Sequence, residues 1–224
     1  MRKLLLAALI CTPLVAESNE PAKRLEESAA VFSEIMSAPD KGIPDELLEK
    51  AQCIVIVPGL KKGAFIVGGQ YGKGYLSCRR KNGRGWSAPG TVRMEGGSVG
   101  FQIGGSETDV IMLVMNQRGA DKLLSSQFTV GAEGEVAAGP VGRSSTAETD
   151  ALMRAEILSW SRSRGAFAGI ALKGATLRQD VDDNQALYGK KLENRDIVTT
   201  GIAPPSSAAK LLALLNKYHT RESD

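Results

Sequence analysis

Glycine is the feature of this sequence that most constrains its fold. Twenty-one of the 25 glycines fall between Gly63 and Gly174, among runs of β-branched residues. Within a strand pattern, glycine marks bulges, bends and places where two backbones approach closely. This density therefore predicts strongly curved, mostly antiparallel strands in a sheet that closes towards a barrel.

Short segments rich in β-branched residues supply the strands of that sheet. They read CIVIV (53–57), GAFIVGG, GYLSCRR, TVRMEGGSVGFQIGG and DVIMLVM, with turn signals such as Asn82-Gly83 between them. Residues 117–126 are expected to form a short helix, and further strands are expected within 127–139 and 150–173.

Helical patterns flank the glycine-rich stretch. Residues 20–38 place apolar side chains along one helical face. Pro44 opens a second short helix, and Ser206 or Ser207 can cap a leucine-rich helix in the C-terminal segment 205–219. The predicted fold class is α+β, a strongly curved and mostly antiparallel sheet flanked by N-terminal, middle and C-terminal helices.

The first sixteen residues, MRKLLLAALICTPLVA, have the pattern of a secretory signal peptide. A basic pair precedes an apolar run that is far shorter than the about 20 residues of a spanning helix. Ala16 offers a small residue for cleavage, and a lipoprotein start at Cys11 is the alternative. We therefore expect an exported protein, periplasmic or secreted, with signal peptide 1–16 and one domain over 17–224 whose core covers 43–200.

Composition limits the partners that such a protein would have. Cleavage takes the formal net charge from +3 to +1, because it removes Arg2 and Lys3 and no acid. A chain this close to neutrality has no strong field to steer nucleic acid. No nucleic-acid partner is therefore expected.

Cleavage would leave two cysteines, Cys53 and Cys78, and two arguments about them conflict. An oxidising compartment favours a disulfide. A meander of CIVIV, GAFIVGG and GYLSCRR would instead separate the cysteines by two strand spacings, about 9–10 Å. A disulfide needs Cα atoms within about 7 Å of each other. On the meander we predict two free, buried thiols.

Several short patterns imitate catalytic or ligand-binding motifs. GGSVG (96–100) matches a nucleophile elbow, with His219 as the only histidine, but the following FQIGG continues a strand where the elbow needs a helix. GGQYGKG (68–74) is one residue short of a phosphate loop, and DVDDN (180–184) lacks the glycine and distal glutamate of a calcium loop. We expect no enzyme activity, no catalytic residue, no cofactor and no metal. A serine hydrolase using Ser98 is a remote alternative.

One set of segments between residues 43 and 189 forms a pattern as a whole. In order they are IPDELLEKAQCIVIVPGLKKGAFIVGGQYGKG, GWSAP, GGSVGFQIGGSETDVIMLVMN, VAAGPVGR, AEILSWSRSRGAFAGIALKG and NQALYG. Together they resemble the SYLF domain, a lipid-binding module of bacterial exported proteins and eukaryotic endocytic proteins. Two conservative departures are Trp160, where the family often has tyrosine, and Ala64, where it often has glycine.

The resemblance implies non-catalytic binding of phospholipid, often phosphoinositide, and of actin filaments in some eukaryotic members. For an exported chain, actin comes only by analogy with cytosolic relatives and is not the expected partner. Anionic phospholipid at a membrane surface is the expected partner. The alternative is an envelope structural or protein-interaction module with incidental lipid affinity.

Basic side chains form the first group of candidate lipid-binding residues. They are Lys61, Lys62, Arg79, Arg80, Lys81, Arg84 and Arg143. Each lysine or arginine near an anionic membrane contributes about 1 kcal/mol to binding. The alternative is that they are solvated charges that keep strand edges apart, and that Arg143 pairs with Asp109 or Glu148.

Apolar side chains of the helix over 20–38 form the second group, because the resemblance attributes part of the membrane contact to this helix. They are Leu25, Phe32, Ile35 and Met36. These residues either enter the headgroup boundary or pack on the core. Trp86, Tyr71 and Tyr75 are expected to pack within the sheet and not to form an interfacial patch.

Overall fold

The structure is a computed structural model that describes residues 20–38, 42–64, 67–80, 85–99, 104–141, 154–163, 166–170, 172 and 174–218. The helices are α1 (Glu20–Ser37), α2 (Asp45–Lys50), α3 (Gln117–Leu123), α4 (Val181–Tyr188), α5 (Asn194–Thr199) and, after a 3₁₀ turn at Ser206–Ala208, α6 (Ala209–Lys217). The strands are β1 (Cys53–Ala64), β2 (Val67–Cys78), β3 (Gly90–Val99), β4 (Gly104–Val114), β5 (Gln127–Thr129), β6 (Val136–Ala138), β7 (Ile157–Ser163), β8 (Ala166–Gly169) and β9 (Thr176–Gln179).

The described strands form one sheet in the order β5-β9-β3-β2-β1-β4-β7-β6, with β8 paired to β7. Among them, β6 and β7 run parallel and the other neighbours are antiparallel. The two ends of this order, β5 and β6, are consecutive in the chain and are joined by residues 130–135, where Val130 pairs with Gly134. The sheet therefore curls until its edges approach, which confirms the predicted α+β fold with a curved, mostly antiparallel sheet.

Two hydrophobic clusters lie on opposite faces of the sheet, as the alternation of side chains along a strand requires. In β1, Ile54 and Ile56 belong to a cluster shared with helices α1, α2 and α6. Val55 and Val57 belong to a second cluster that joins side chains from β5 to β7 across the sheet. Such a cluster lies inside the curl, because residues of distant strands can meet only on the concave face.

The predicted helices are confirmed. Helix α1 buries one face on the sheet and on α6, where the rings of Phe32 and Tyr218 meet edge to face at 5.9 Å between centroids. Trp86 is 1% exposed, and its indole Nε1 donates to the Leu215 carbonyl of α6 at 3.1 Å. Within the described residues, no helix is both long enough and apolar enough to cross a membrane.

The predicted break between CIVIV and GAFIVGG is wrong. CIVIV and Gly63-Ala64 belong to the single strand β1, which continues through Pro58-Gly59 with one extra residue relative to its neighbours β2 and β4. Such a bulge tolerates proline, which has no N–H for the ladder, and Gly59 adopts the positive φ of 59° that glycine allows. The last three residues of GAFIVGG, 67–69, begin β2. The chain reverses direction between Ala64 and Val67, and not at Pro58-Gly59.

This difference overturns the predicted free thiols. With β1 unbroken, GYLSCRR pairs directly with CIVIV, so Cys53 lies opposite Cys78. The two sulfur atoms form a disulfide, with an S–S distance of 2.07 Å. The bond closes a chain segment with a sequence separation of 25 residues and joins the start of β1 to the end of β2.

Candidate functional site

The bulge in β1 divides the sheet into two parts with different surroundings. Before it, β1 is covered on both faces by the two hydrophobic clusters. Beyond it, Lys61 and Gly63 are exposed, as are Gly69 and Tyr71 of β2. We call Lys61–Gly63 together with Gly69–Tyr71 the hairpin end.

An ion-pair cluster holds the bulge in place. The Gly59 N–H donates to Asp109 Oδ1 at 2.9 Å, and Arg162 Nε donates to Asp109 Oδ2 at 2.6 Å. Arg162 also pairs with Glu34, and so ties α1 to the same point. Burial raises the pKa of the Asp109 carboxyl, although the Gly59 hydrogen bond opposes this rise. The expected partner Arg143 lies outside the described residues, so its pairing with Asp109 or Glu148 stays a prediction.

A groove of about 560 Å³ opens between α1 and the bulge. Of the described residues, Glu27, Glu107 and Asp109 line its wall beside one cation, Arg162. The groove is therefore unsuited to an anionic headgroup, because like charges repel at short range.

At the hairpin end, two lysines have no carboxylate partner. Among the described residues, neither Lys61 nor Lys62 forms an ion pair, although Glu107 lies opposite Lys61 on β4. Tyr71 lies opposite Lys61 on β2 and is 48% exposed. The expectation that Tyr71 packs within the sheet is wrong, whereas Tyr75 and Trp86 are each 1% exposed, as expected. A tyrosine beside free lysines can contact both the apolar and the charged layers of a membrane interface.

The predicted arginine cluster near residue 80 makes bonds within the protein. The Arg79 guanidinium donates to the Leu48 carbonyl at 2.8 Å and to the Ala51 carbonyl at 3.2 Å, at the end of α2. It also stacks on the Trp86 ring at 4.2 Å. Arg80 Nε donates to the Trp86 carbonyl at 2.9 Å. Lys81 and Arg84 lie outside the described residues, so the structure shows a stabilising role for this segment only at Arg79 and Arg80.

The apolar candidates on α1 pack on the core in this structure. Leu25, Phe32 and Ile35 are fully buried, and Met36 is 8% exposed. Two ion pairs hold the helix down, Glu34 with Arg162 and Arg24 with Asp183 at 2.7 Å. These side chains would reach a membrane only if α1 left the sheet.

One charged cluster was not predicted from the sequence. Lys73 of β2 contacts Asp180 at 2.8 Å and Asp183 at 3.0 Å, where α4 begins. Although burial works against both charges, these contacts raise the pKa of Lys73 and lower that of Asp180. The three acids of DVDDN were the sequence signal for this cluster. Two of them, Asp180 and Asp183, pair with Lys73 of the protein itself.

The remaining motif matches lie in settings that do not suit their chemistry. Ser98 lies within β3, and the next described element is the strand β4, whereas a nucleophile elbow leads into a helix. GGQYGKG lies inside β2, whereas a phosphate loop joins a strand to a helix. His219 lies outside the described residues. In the described part of the chain, no group of three histidine, cysteine or acidic residues is placed to hold a metal ion.

Comparison with known proteins identifies the family. The profile described as Ysc84, Las17-binding protein actin regulator, matches residues 95–218, which is more than half of the chain. The chain belongs to this family, the Ysc84 or SYLF domain family. The matched stretch includes most of the sheet after β2 and the helices from α3 to α6.

Individual relatives agree with this assignment over most of the chain. SH3 domain-containing YSC84-like protein 1 of Rattus norvegicus is 31% identical over 208 residues, which cover 92% of this chain and 59% of that protein. An SH3 domain-containing protein of Schizosaccharomyces pombe is 34% identical over 178 residues, or 78% of this chain and 41% of the relative. LAS seventeen-binding protein 3 of Saccharomyces cerevisiae is 32% identical over 180 residues, or 79% of this chain and 39% of the relative. The chain therefore spans well under two thirds of the length of these relatives.

Proposed function

We propose that this Ysc84-family chain is a non-catalytic module that binds anionic phospholipid at a membrane surface through its hairpin end. The observation that carries the proposal is the pair of lysines, Lys61 and Lys62, that form no ion pair with any described residue and lie beside the exposed ring of Tyr71. The same strands are covered on both faces before the bulge, so this uncovered end is not needed to build the core.

The expected affinity follows from the charges at this end. Each lysine close to an anionic surface contributes about 1 kcal/mol, so the pair contributes about 2 kcal/mol at low salt. Tyrosine is suited to the interface because its ring is apolar and its hydroxyl can remain hydrated. A contact of this kind gives weak, salt-sensitive and reversible docking.

The test is co-sedimentation with vesicles of phosphatidylcholine alone or mixed with phosphatidylglycerol, at two salt concentrations. K61Q/K62Q should weaken binding to the anionic vesicles by about 30-fold, which corresponds to about 2 kcal/mol. K190Q/K191Q is the matched control, because it removes an adjacent pair of exposed lysines outside the hairpin. Equal loss in both variants would show a non-specific charge effect and would contradict the proposed surface.

Protein binding is the second candidate function. The family description names binding to Las17 and regulation of actin, and the yeast relative is named for the same kind of partner. Under this alternative the chain is an envelope structural or interaction module with incidental lipid affinity. Absence of binding to every vesicle composition, with the fold intact, would favour it.

We further propose that the chain acts outside the cytoplasm. The Cys53–Cys78 disulfide is typical of an oxidising compartment, and residues 1–16 have the pattern of a signal peptide. Mass spectrometry of the protein recovered from periplasm or medium should show Glu17 as the first residue. A mature chain that begins at an acylated Cys11 would contradict cleavage after Ala16.

A further inference from the structure

Three neighbouring strands bring cations into one row of the sheet. Lys73 of β2 lies opposite Arg93 of β3, and Arg93 lies opposite Arg178 of β9. Neighbouring strands are about 4.8 Å apart. Like charges directly opposite each other destabilise a sheet unless an anion lies between them.

Among the described residues, the anions near this row do not balance it. Asp180 and Asp183 together neutralise Lys73 and Arg24. Arg93 and Arg178 share one carboxylate, Glu95, at 3.0 and 3.4 Å from their respective Nε atoms. The two guanidinium groups therefore carry one positive charge more than the carboxylate between them can offset.

The geometry of these contacts leaves donors unused. The Nε atoms of Arg93 and Arg178 are buried but have no hydrogen-bond partner in the described part of the chain, so Glu95 meets them as a nearby charge and not as an acceptor. A buried donor without an acceptor costs free energy. At the same time 40% of each arginine side chain is exposed, so a solute can reach the pair from solvent.

We propose that Arg93 and Arg178 form a binding site for a phosphate monoester, in competition with Glu95. A doubly charged phosphate offsets both guanidinium charges, and its oxygens can accept paired hydrogen bonds from arginine forks. Cross-strand partners share a face of the sheet, so Tyr71, which lies opposite Glu95, is on the same face as the arginine pair. The site is thus continuous with the hairpin end and supplies a headgroup subsite there; in that respect it rests on the proposed function.

Substitution of Glu95 distinguishes phosphate binding from a purely structural role, because only phosphate binding predicts that E95Q raises the affinity for phosphate. If the three side chains only stabilise the sheet, then E95Q, R93Q and R178Q all weaken the same network. If the arginines bind phosphate, E95Q removes a competitor and should raise affinity by about threefold. R93Q/R178Q should lower affinity by about tenfold or more, because charge-assisted hydrogen bonds are lost.

The probes separate a lipid source from a free phosphate. Glycerol 3-phosphate is titrated calorimetrically, and vesicles of phosphatidylcholine with phosphatidic acid, a monoester, are compared with vesicles that contain phosphatidylglycerol, a diester. Loss of phosphatidic acid binding alone in R93Q/R178Q supports a headgroup site. Loss of glycerol 3-phosphate binding, with or without that of the vesicles, supports a site that also takes the free phosphate.

Control variants keep the two proposals apart. R195Q removes an arginine of α5 outside this row and should leave every affinity unchanged. K61Q/K62Q should weaken both anionic vesicles, whereas R93Q/R178Q should spare phosphatidylglycerol. The phosphate site is wrong if R93Q/R178Q changes the affinity neither for glycerol 3-phosphate nor for phosphatidic acid vesicles, or if E95Q lowers these affinities. Docking through the lysines would still stand. Should the double variant not fold, the single variant E95Q still decides by its sign.

Discussion

The two halves of the β1–β2 hairpin are built from the same pair of strands but differ in physical character. Before the bulge, Cys53–Val57 are buried on both faces and a disulfide joins the strands. Beyond it, the hairpin end carries glycines, two free lysines and an exposed tyrosine. A strand pair can extend past its own core because the ladder of backbone hydrogen bonds continues without side-chain packing. This less packed half is the one that we propose for binding.

The largest test of this comparison removes a buried aromatic residue next to the packed half and an exposed one in the hairpin end. W86A removes a buried ring that packs between the sheet and α6 and should lower the free energy of unfolding by about 3–5 kcal/mol. Y71A removes an exposed ring and should change it by less than about 0.5 kcal/mol. Urea denaturation of both variants measures the difference, and similar losses would show that the hairpin end is part of the core.

The disulfide is the next largest expected contribution. Loss of the Cys53–Cys78 bond should destabilise the chain by about 2–4 kcal/mol, because it closes a loop in the unfolded state. Denaturation with and without reductant measures this loss. C53A/C78A is the control, since reductant should not affect its stability. Labelling of two thiols in the unreduced, denatured mature chain would contradict the bond.

A glycine in the packed half and a glycine on β3 beside the hairpin end, where Gly97 lies opposite Gly69, should respond differently to alanine. A Cβ at Gly74 would lie 2.1 Å from the backbone oxygen of Ile56, so G74A should cost about 1–3 kcal/mol through overpacking. A Cβ at Gly97 of β3 meets nothing within 4 Å, so G97A should be neutral or stabilise by up to about 1 kcal/mol through the unfolded state. Thermal unfolding of the two variants tests where the tightly packed part of the sheet ends. A large loss of stability in G97A would show that this packing extends to Gly97.

The smallest expected effect concerns the cluster at α4 and depends on pH. Because the folded state lowers the pKa of Asp180 below its ordinary value of 3.8, this carboxylate stabilises the protein above that pH. The stabilisation is lost as the pH falls through the lowered pKa. The difference in stability between the wild type and D180N should therefore shrink on acidification from pH 5. D182N, at an exposed position in the same helix, should follow the wild type. A constant difference would contradict the ion-pair role.

Local pattern was sufficient to predict most secondary structure. The apolar spacing over 20–38 gave α1 its correct extent to within one residue at its end, and the 117–126 segment contains α3. The residues whose roles were wrongly predicted are those that depend on partners outside their local sequence. Arg79 was grouped with surface cations because neither the open end of α2 nor the Trp86 face is visible in the adjacent sequence.

The candidate site was predicted only in part for the same reason. Lys61 and Lys62 are among the basic residues predicted from the sequence, and the structure places them within strand β1, where they form no ion pair with a described residue. Arg93 and Arg178 are 85 positions apart and carry no motif, so only the pairing of β3 with β9 brings them together. A sequence pattern reports a residue's neighbours along the chain, whereas charge balance depends on neighbours across strands.

For this protein, the sequence by itself determined the curved sheet, the flanking helices and the family. Glycine density, alternating apolar residues and helical spacing act within a few positions of each other, so they can be read locally. The tertiary structure alone decided whether Pro58-Gly59 ends a strand or bulges within it. The covering of β1 by β2 and β4, together with the Asp109 contact to Gly59, favours the continuous strand. That choice sets the register, and the register in turn pairs Cys53 with Cys78.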